Sequence, residues 1–267
     1  MKKALTIAGS DPGGGAGIQA DLKTFCARGV FGMSVIAALT AQNTTGVQGV
    51  LEIPPDFVAL QLDSVIKDIG TDAVKIGMLS NANIIKIVAE KIQQYHLAPV
   101  VVDPVMVAKG GDLLLREDAS SALIKVLLPK ATVVTPNLPE AAKLCGFEIK
   151  TLDEMRHAAR LIHDMGPTFV IVKGGHLAGE MDAIDLLFDG EKFETFASSR
   201  ISTKNDHGTG CTFSSAIAAE LAKGVNIRDA VGIAKEYLTR IMAASADLKI
   251  GSGHGPMNHT ALLVEKF

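Results

Sequence analysis

The sequence predicts one α/β domain over residues 1–267, with a central, mostly parallel sheet covered by helices on both faces. Short apolar runs alternate with amphipathic stretches along the chain, which is the pattern of parallel strands joined by crossover helices. The length lies in the usual range of single α/β domains, and no low-complexity linker divides the chain. Hydrophobic residues make up 48% of the sequence, enough to build the core of such a fold.

Six apolar runs predict strands, because each is followed by Gly, Pro, Asn or Asp where a turn is needed. These runs are residues 4–8, 34–40, 73–76, 100–102, 132–135 and 169–172. Between residues 183–188 and 192–196 lies Asp189-Gly190, the dipeptide that two-residue hairpins prefer. We therefore expect a small antiparallel ribbon at one edge of the sheet.

Seven stretches have the apolar spacing of helices. They are residues 19–28, 56–69, 84–95, 119–128, 154–165, 211–223 and 228–246. Thr151 and Glu154 form a capping box before the fifth stretch. Gly224 ends the sixth stretch, and Asn226 is the expected N-cap of the last.

Composition argues against a nucleic-acid or membrane partner. The chain has 26 basic and 29 acidic side chains, ten Phe, two Tyr and no Trp, so it offers neither a basic surface nor many rings for base stacking. No apolar run approaches the roughly 18 residues of a membrane span, and the one after Met1 is too short for a secretion signal. Three cysteines form neither a disulfide framework nor a metal motif, which favours a cytoplasmic location. We expect Cys26 and Cys145 in the core and the histidines on the surface.

The sharpest local signal is a glycine-rich helix start, His207-Gly208-Thr209-Gly210-Cys211. Glycines let the backbone approach an anion closely, and the free N–H groups of a helix N-terminus attract phosphate. The functional interpretation is an anion hole, and the alternative is an ordinary helix start. Cys211 lies in the first turn, where the helix dipole favours a thiolate, so we expect it to be more reactive than a free cysteine.

A second glycine-rich loop covers residues 9–17, between the first strand and the first helix. Residues 15–20 formally match the G-x-G-x-x-A dinucleotide fingerprint, but the loop is long and no acidic residue follows the second strand. Neither glycine loop ends in the Gly-Lys-Ser/Thr of a P-loop. We interpret the loop as the floor or lid of a small-ligand site, with a purely structural turn as the alternative.

Polar residues follow three of the predicted strands, where ligands bind on open α/β sheets. Asp103, Asn137 and Glu140 carry the hard oxygen ligands that suit Mg²⁺ bound to substrate phosphates. Lys173 with Gly174-Gly175 follows another strand. Each residue alone is more typical of a helix cap or a turn, so the evidence for a ligand site is the position that they share at strand ends.

Seven motifs in chain order resemble the hydroxymethylpyrimidine and phosphomethylpyrimidine kinases of thiamine biosynthesis. They are AGSDPGGGAGIQADLKTF from Ala8, ALTAQNTTGVQ from Ala38, KIGML from Lys75, DPVM from Asp103, TPNLPEA from Thr135, VKGGH from Val172 and HGTGCT from His207. The resemblance spans nearly the whole chain, to Gly253-His254-Gly255-Pro256. It implies a ribokinase-like three-layer α/β sandwich, a homodimer, and phosphoryl transfer from ATP with Mg²⁺ to an aminopyrimidine alcohol and then to its monophosphate.

The resemblance also implies roles for individual residues. The pyrimidine pocket would consist of Gly9, Asp21, Gln42, Met78 and Val105. The anion hole would be Gly208, Thr209 and Gly210, with Cys211 in the place of the catalytic Asp of sugar kinases and Lys235 reaching the phosphates. Mg²⁺ would be held by Asp103, Asn137 and Glu140, directly or through water, and the nucleotide bordered by Lys173, Gly174 and Gly175.

Two positions depart from the family pattern, and other functions remain open. The family more often has Ser at Gly13 and Thr at Asp206, so here a carboxylate stands beside the predicted anion hole, where a cation such as Lys204 would offset it. A pyridoxal or pyridoxine kinase of the same fold is the nearest alternative, although Gln42 favours the pyrimidine. A nicotinamide-dependent oxidoreductase and a nucleotide-binding regulatory protein are more distant alternatives.

Overall fold

The computed structural model describes residues 1–106, 117–175, 177 and 182–263. His176, the last residue of the VKGGH motif, lies outside the described residues. The described strands form one nine-stranded sheet in the order β3-β2-β1-β4-β5-β6-β7-β8-β9. They are β1 (Lys3–Ser10), β2 (Phe31–Asn43), β3 (Gly46–Glu52), β4 (Ala73–Ile76), β5 (Val100–Val102), β6 (Val133–Val134), β7 (Phe169–Gly174), β8 (Asp182–Phe188) and β9 (Phe193–Ser199).

Six adjacent strands run parallel, and antiparallel strands close both edges of the sheet. The parallel set is β2-β1-β4-β5-β6-β7, while β3 pairs antiparallel with β2, and β8 and β9 form an antiparallel ribbon beyond β7. The predicted hairpin at Asp189-Gly190 is thus confirmed.

Helices cover both faces of the sheet, which confirms the predicted three-layer sandwich. They are α1 (Gly17–Ala27), α2 (Pro55–Asp68), α3 (Ala82–Gln94), α4 (Glu117–Ala122), α5 (Leu138–Cys145), α6 (Leu152–His163), α7 (Thr209–Ala222) and α8 (Ile227–Ala244). Helices α2 to α6 share one apolar core with one face of the sheet, and α1, α7 and α8 share a second core with the other. Alternate residues of β5 show the division, because Val100 and Val102 enter the first core and Val101 the second.

Three elements differ from the sequence prediction. Strand β3 was not predicted, because its exposed residues show no alternation of apolar and polar side chains. Helix α5 was also not predicted, although Asn137 and Glu140 form a capping box at its start. The predicted helix 119–128 is α-helical only to Ala122 and continues as a π-turn over Leu123–Leu127. Among the described residues, no helix is long and apolar enough to cross a membrane.

Candidate active site

A cavity of about 730 Å³ opens at the carboxyl ends of the parallel strands. Its walls come from the residues that follow β1, β4, β5, β6 and β7, together with the start of α7 and one side of α8. Strand ends at a parallel sheet are where α/β proteins bind ligands, since loops there can converge without disturbing the core. Most of the predicted site residues line this one cavity.

The glycine-rich helix start depends on close contacts at two of its glycines. Gly208 caps α7 with φ 85°, a conformation that favours glycine. A Cβ atom there would lie 1.9 Å from the carbonyl oxygen of Gly15. A Cβ on Gly210 would lie 3.1 Å from Lys173 Nζ and 3.3 Å from Asp103 Oδ2. The first turn of α7, whose N–H groups have no helical acceptor, therefore faces the cavity beside a lysine.

Cys211 lies in this first turn and lines the cavity, but it is not an activated thiolate. Burial raises the pKa of the thiol to about 11, against the opposing effect of the Lys75 ammonium group. The loss of hydration on burial thus opposes the more reactive thiolate that the sequence predicts.

Lys235 extends from α8 into the same cavity and is not a solvated surface lysine. Its ammonium group donates to Asp185 Oδ2 at 2.8 Å and to the carbonyl of Ala183 at 2.9 Å. Burial raises the pKa of Asp185 although Lys235 counters it. Sequence reasoning missed Asp185, whose only signal is an acidic residue inside an otherwise apolar strand.

The same cavity contains four of the five predicted pyrimidine-pocket residues. Gly9, Gln42, Met78 and Val105 all line it. A Cβ on Gly9 would lie 2.7 Å from the terminal methyl carbon of Met78, so glycine is needed for this methionine to cover the strand end. Gln42 lies at the end of β2, with its carboxamide 3.3 Å from both Thr40 Oγ1 and His207 Nε2.

Asp21, the fifth predicted pocket residue, does not line the cavity and lies beneath it. Its carboxylate is fully buried and accepts hydrogen bonds from Thr6 Oγ1 (2.6 Å), Lys75 Nζ (2.9 Å) and Ser215 Oγ (2.7 Å). Burial alone would lower the pKa of Lys75, but Asp21 raises it above the usual lysine range. Helix α1 turns this side chain towards the sheet, so Asp21 reaches the underside of α7 instead of the pocket.

The predicted metal ligands converge on one region, but their side chains already have protein partners. Asp103 Oδ1 accepts from Lys173 Nζ at 2.7 Å. Asn137 Oδ1 and Glu140 Oε2 satisfy each other's backbone N–H in the capping box of α5. Burial raises the pKa of Glu140 to about 7, with Lys173 opposing and Asp103 adding to the shift. Within the described ranges, no three His, Cys, Asp or Glu side chains are placed to hold a metal ion by themselves.

Of the three residues predicted to border the nucleotide, two line the cavity and one does not. Lys173 and Gly175 line the cavity, whereas Gly174 is a buried residue of β7 and does not. A Cβ on Gly174 would lie 2.4 Å from the carbonyl oxygen of Ile184 on the neighbouring strand. This glycine is therefore required by strand packing.

The loop of residues 9–17 is organised by its own acidic residue. The carboxylate of Asp11 accepts from the backbone N–H of Gly13 (2.9 Å), Gly15 (3.2 Å) and Ala16 (2.8 Å), and lies 2.9 Å from His207 Nε2. Burial alone would raise the pKa of Asp11, but these partners lower it. The N–H groups that would bind a pyrophosphate are thus already occupied, which argues against the dinucleotide fingerprint.

Three further expectations need correction. His207 lines the cavity and His259 is buried against Thr212 of α7, at 2.9 Å between Nε2 and Oγ1, so these histidines are not surface residues. Cys26 is exposed and not part of the core, while Cys145 is half-buried. The carboxylate of Asp206 lies 3.1 Å from His254 Nδ1, an imidazole partner that the sequence did not predict.

Comparisons with known proteins show which family the chain is similar to. A family model described as phosphomethylpyrimidine kinase matches residues 11–258. The chain is 54% identical over 255 residues to a thiamine biosynthesis bifunctional protein of Geobacter sulfurreducens, covering 96% of this chain and 51% of that protein. The chain thus spans about half the length of that bifunctional relative. It is 50% identical over 259 residues to a hydroxymethylpyrimidine/phosphomethylpyrimidine kinase of Bacillus subtilis, covering 97% of this chain and 95% of that protein.

Among solved structures, an ADP complex of Bacillus subtilis pyridoxal kinase superimposes with a TM-score of 0.92 at 44% identity, covering 99% of each chain. The same architecture therefore serves kinases named for two different heterocyclic alcohols.

Proposed function

Because the chain belongs to the phosphomethylpyrimidine kinase family, we propose that it phosphorylates hydroxymethylpyrimidine and then its monophosphate, using ATP, for thiamine biosynthesis. We further propose that residues 1–267 act as one ribokinase-like kinase domain. The observation that carries the proposal is a single cavity that is lined both by the glycine-rich start of α7 and by Gln42. Such a cavity can hold a phosphoryl donor and an aminopyrimidine acceptor at the same time.

The phosphate end supplies charge stabilisation. Phosphoryl transfer has a loose transition state with charge spread over the transferred oxygens, so positioning and electrostatics dominate. In the proposal, the backbone N–H groups of Gly208, Thr209 and Gly210 bind the transferred group. Lys173 and Lys235, whose Asp103 and Asp185 partners hold them at the cavity wall, supply positive charge.

Cys211 is proposed to take the proton of the hydroxymethyl group. With a pKa of about 11 the thiol is protonated at neutral pH, so the free protein contains roughly one thiolate in ten thousand at pH 7. The positive charge of Lys75 lowers the pKa of Cys211 and so favours the thiolate. Cys211 can accept the hydroxyl proton only as the thiolate, so this step requires that the thiol first loses its own proton to solvent.

Magnesium is proposed to bind through water at Asp103 and Glu140. Mg²⁺ usually keeps several waters and uses one or two carboxylates together with substrate phosphates. The donor set fits this mode, because burial raises the pKa of Glu140 and Asp103 adds to the shift while Lys173 opposes it, so a further cation beside the two carboxylates would favour their charged forms. Asn137 would position Glu140 through the capping box. The ion would supply further charge neutralisation at the phosphates.

Pyridoxal phosphorylation is the second candidate function, favoured by the similarity to a pyridoxal kinase structure. Gln42 separates the two substrates. A carboxamide pairs with both the ring nitrogen and the exocyclic amine of an aminopyrimidine, while pyridoxal lacks that amine. A buried polar group left unpaired costs about 1–3 kcal/mol, or roughly fivefold to 150-fold in affinity.

The test is ADP release from Mg-ATP with hydroxymethylpyrimidine, with pyridoxal and with no acceptor. We expect a higher kcat/KM for hydroxymethylpyrimidine and a loss of that preference in Gln42→Met, which keeps the side-chain length and removes both polar atoms. A wild-type protein that prefers pyridoxal, or that releases ADP at the same rate without an acceptor, would overturn the proposal.

We also propose a homodimer, formed through the β3 edge of the sheet. Large apolar side chains are exposed there and on the adjoining helix α2, namely Val50 (47%), Leu51 (64%), Phe57 (53%) and Leu60 (56%). An exposed apolar edge strand is a ready surface for a second copy of the chain. Leu51→Glu should give a monomer by light scattering, while Ile250→Glu, at an exposed apolar residue elsewhere, should leave the dimer intact.

A further inference from the structure

The neighbours of the Gln42 carboxamide restrict which of its two ends can face which side. Oε1 of Gln42 lies 3.3 Å from Thr40 Oγ1, and Nε2 lies 3.3 Å from His207 Nε2. Thr40 has one hydroxyl hydrogen, and the carbonyl oxygen of Ser10 lies closer to Oγ1, at 2.8 Å. Thr40 therefore has a lone pair, and not a hydrogen, available for Gln42.

The contact between Gln42 and His207 also favours one orientation of the carboxamide. His207 Nε2 lies 2.9 Å from Asp11 Oδ2, and a ring nitrogen that faces a carboxylate at this distance must carry a hydrogen. The backbone N–H groups that converge on Asp11 hold its carboxylate in place. That one hydrogen points to Asp11, so His207 Nε2 has no lone pair to accept from the amide nitrogen of Gln42. With the amide oxygen on this side instead, two donors no longer face each other.

Both constraints are met by one orientation of the carboxamide. We propose that His207, held by Asp11, turns Oε1 of Gln42 towards itself and Nε2 towards Thr40, and thereby sets the orientation of the bound pyrimidine. Amide oxygen and nitrogen are assigned by their partners, and here the partners on both sides agree. His207 is a positioning residue in this proposal, because it acts through Gln42.

The orientation decides which way the reacting group points. This step rests on the proposed function, since it takes hydroxymethylpyrimidine as the substrate. Along the polar edge of that ring, the hydroxymethyl group comes first, then the exocyclic amine, then the ring nitrogen. With Oε1 on the His207 side, the amine binds on that side and the hydroxymethyl group lies beyond it, towards Gly208 and the start of α7. The reversed amide would direct the hydroxymethyl group towards Thr40 and Ser10, away from the phosphate end.

The experiment uses hydroxymethylpyrimidine and its analogue without the exocyclic amine, and measures the ratio of their kcat/KM values. General loosening of the cavity lowers both values, whereas loss of the set orientation lowers the ratio. His207→Phe keeps a ring and removes the donor, so we expect the ratio to fall at least tenfold with the KM for ATP within twofold of wild type. His207→Gln carries a terminal N–H of similar reach and should restore the ratio to within about threefold.

Two further variants keep the test independent of the folding of His207→Phe. Thr40→Val removes the acceptor on the other side of the carboxamide, suits a β-strand, and should also lower the ratio. In a Gln42→Met background, His207→Phe should have no additional effect on the ratio, because no carboxamide remains to be oriented.

The outcomes separate the two proposals. An unchanged ratio in both His207→Phe and Thr40→Val, with a lost ratio in Gln42→Met, would overturn the role of His207. Failure of His207→Gln to restore the ratio at an unchanged melting temperature would also overturn it. A wild-type protein that phosphorylates neither pyrimidine would instead overturn the proposed function.

Discussion

The cavity wall and the layer directly beneath it contain the same kinds of polar groups but differ in access to solvent. In the wall, the Lys173–Asp103 pair opens to the cavity, with 14% of the Lys173 side chain exposed. Beneath it, both side chains of the Lys75–Asp21 pair are fully buried. Groups in the wall can exchange a protein partner for a ligand, while Asp21, which does not line the cavity, cannot. We therefore expect variants of the wall to lose activity and variants of the lower layer to lose stability.

The largest expected effect is in the lower layer. Asp21→Asn leaves the Lys75 ammonium group buried without a counter-charge, and breaking such a pair typically costs about 3–5 kcal/mol of the free energy of unfolding. Urea denaturation measures this loss. Asp103→Asn is the matched control, since Lys173 can then gain hydration from the cavity, and it should cost clearly less. Equal losses in the two variants would contradict the comparison.

Cys211→Ala tests whether a residue of the cavity wall contributes to activity. General bases typically contribute about 10²–10⁴-fold, and we expect kcat for hydroxymethylpyrimidine to fall about 10²-fold. The KM for ATP should stay within twofold, because the backbone N–H groups of Gly208 to Gly210 survive the substitution. Steady-state kinetics with a melting curve as the folding control checks both values. An alanine variant with normal kcat would remove Cys211 from the mechanism.

The third prediction concerns pH and His259, which supports α7 from below through Thr212. Burial lowers the pKa of His259 to about 4, so between this value and the ordinary pKa of 6.5 the unfolded chain binds a proton that the folded protein does not. This contribution to stability is complete above pH 6.5 and is lost as the pH falls towards 4. Between pH 7 and pH 5 the loss is about 2 kcal/mol.

His259→Gln removes this titration while keeping an uncharged partner for Thr212. Urea denaturation at pH 7 and pH 5 should therefore show a smaller decrease in the variant than in the wild type. An identical decrease in both proteins would mean that other groups cause the acid sensitivity.

The smallest expected effect is at Glu140, whose carboxylate forms the capping box of α5 with Asn137 and also lines the cavity. Glutamine preserves a capping box, so Glu140→Gln should change the unfolding free energy by less than about 1 kcal/mol. If the carboxylate holds Mg²⁺, the variant should need severalfold more Mg²⁺ for half-maximal rate. An unchanged Mg²⁺ dependence would leave Glu140 with its capping role alone.

Much of the site was predictable from local sequence. The residues after β5 and β7 face one cavity because parallel strands end at the same edge of a sheet, and Asp103, Lys173 and Gly175 followed from that rule. The start of α7 was equally local, since only glycine suits the positive φ of Gly208. Gln42, Met78 and Val105 came from the family resemblance and not from spacing.

What the sequence determined by itself is therefore the alternation of strands and helices apart from β3 and α5, the edge of the sheet at which the cavity opens, and the glycine-rich helix start that faces it. Only the tertiary structure decided which charged side chains are fully buried and which are accessible from the cavity. The pairs Asp11–His207, Lys75–Asp21 and Lys235–Asp185 join residues 196, 54 and 50 positions apart. Local patterns carry no information about such contacts, because burial and partner depend on how helices pack across the sheet. For this reason Asp21 lies beneath the pocket, and His207 lies inside it.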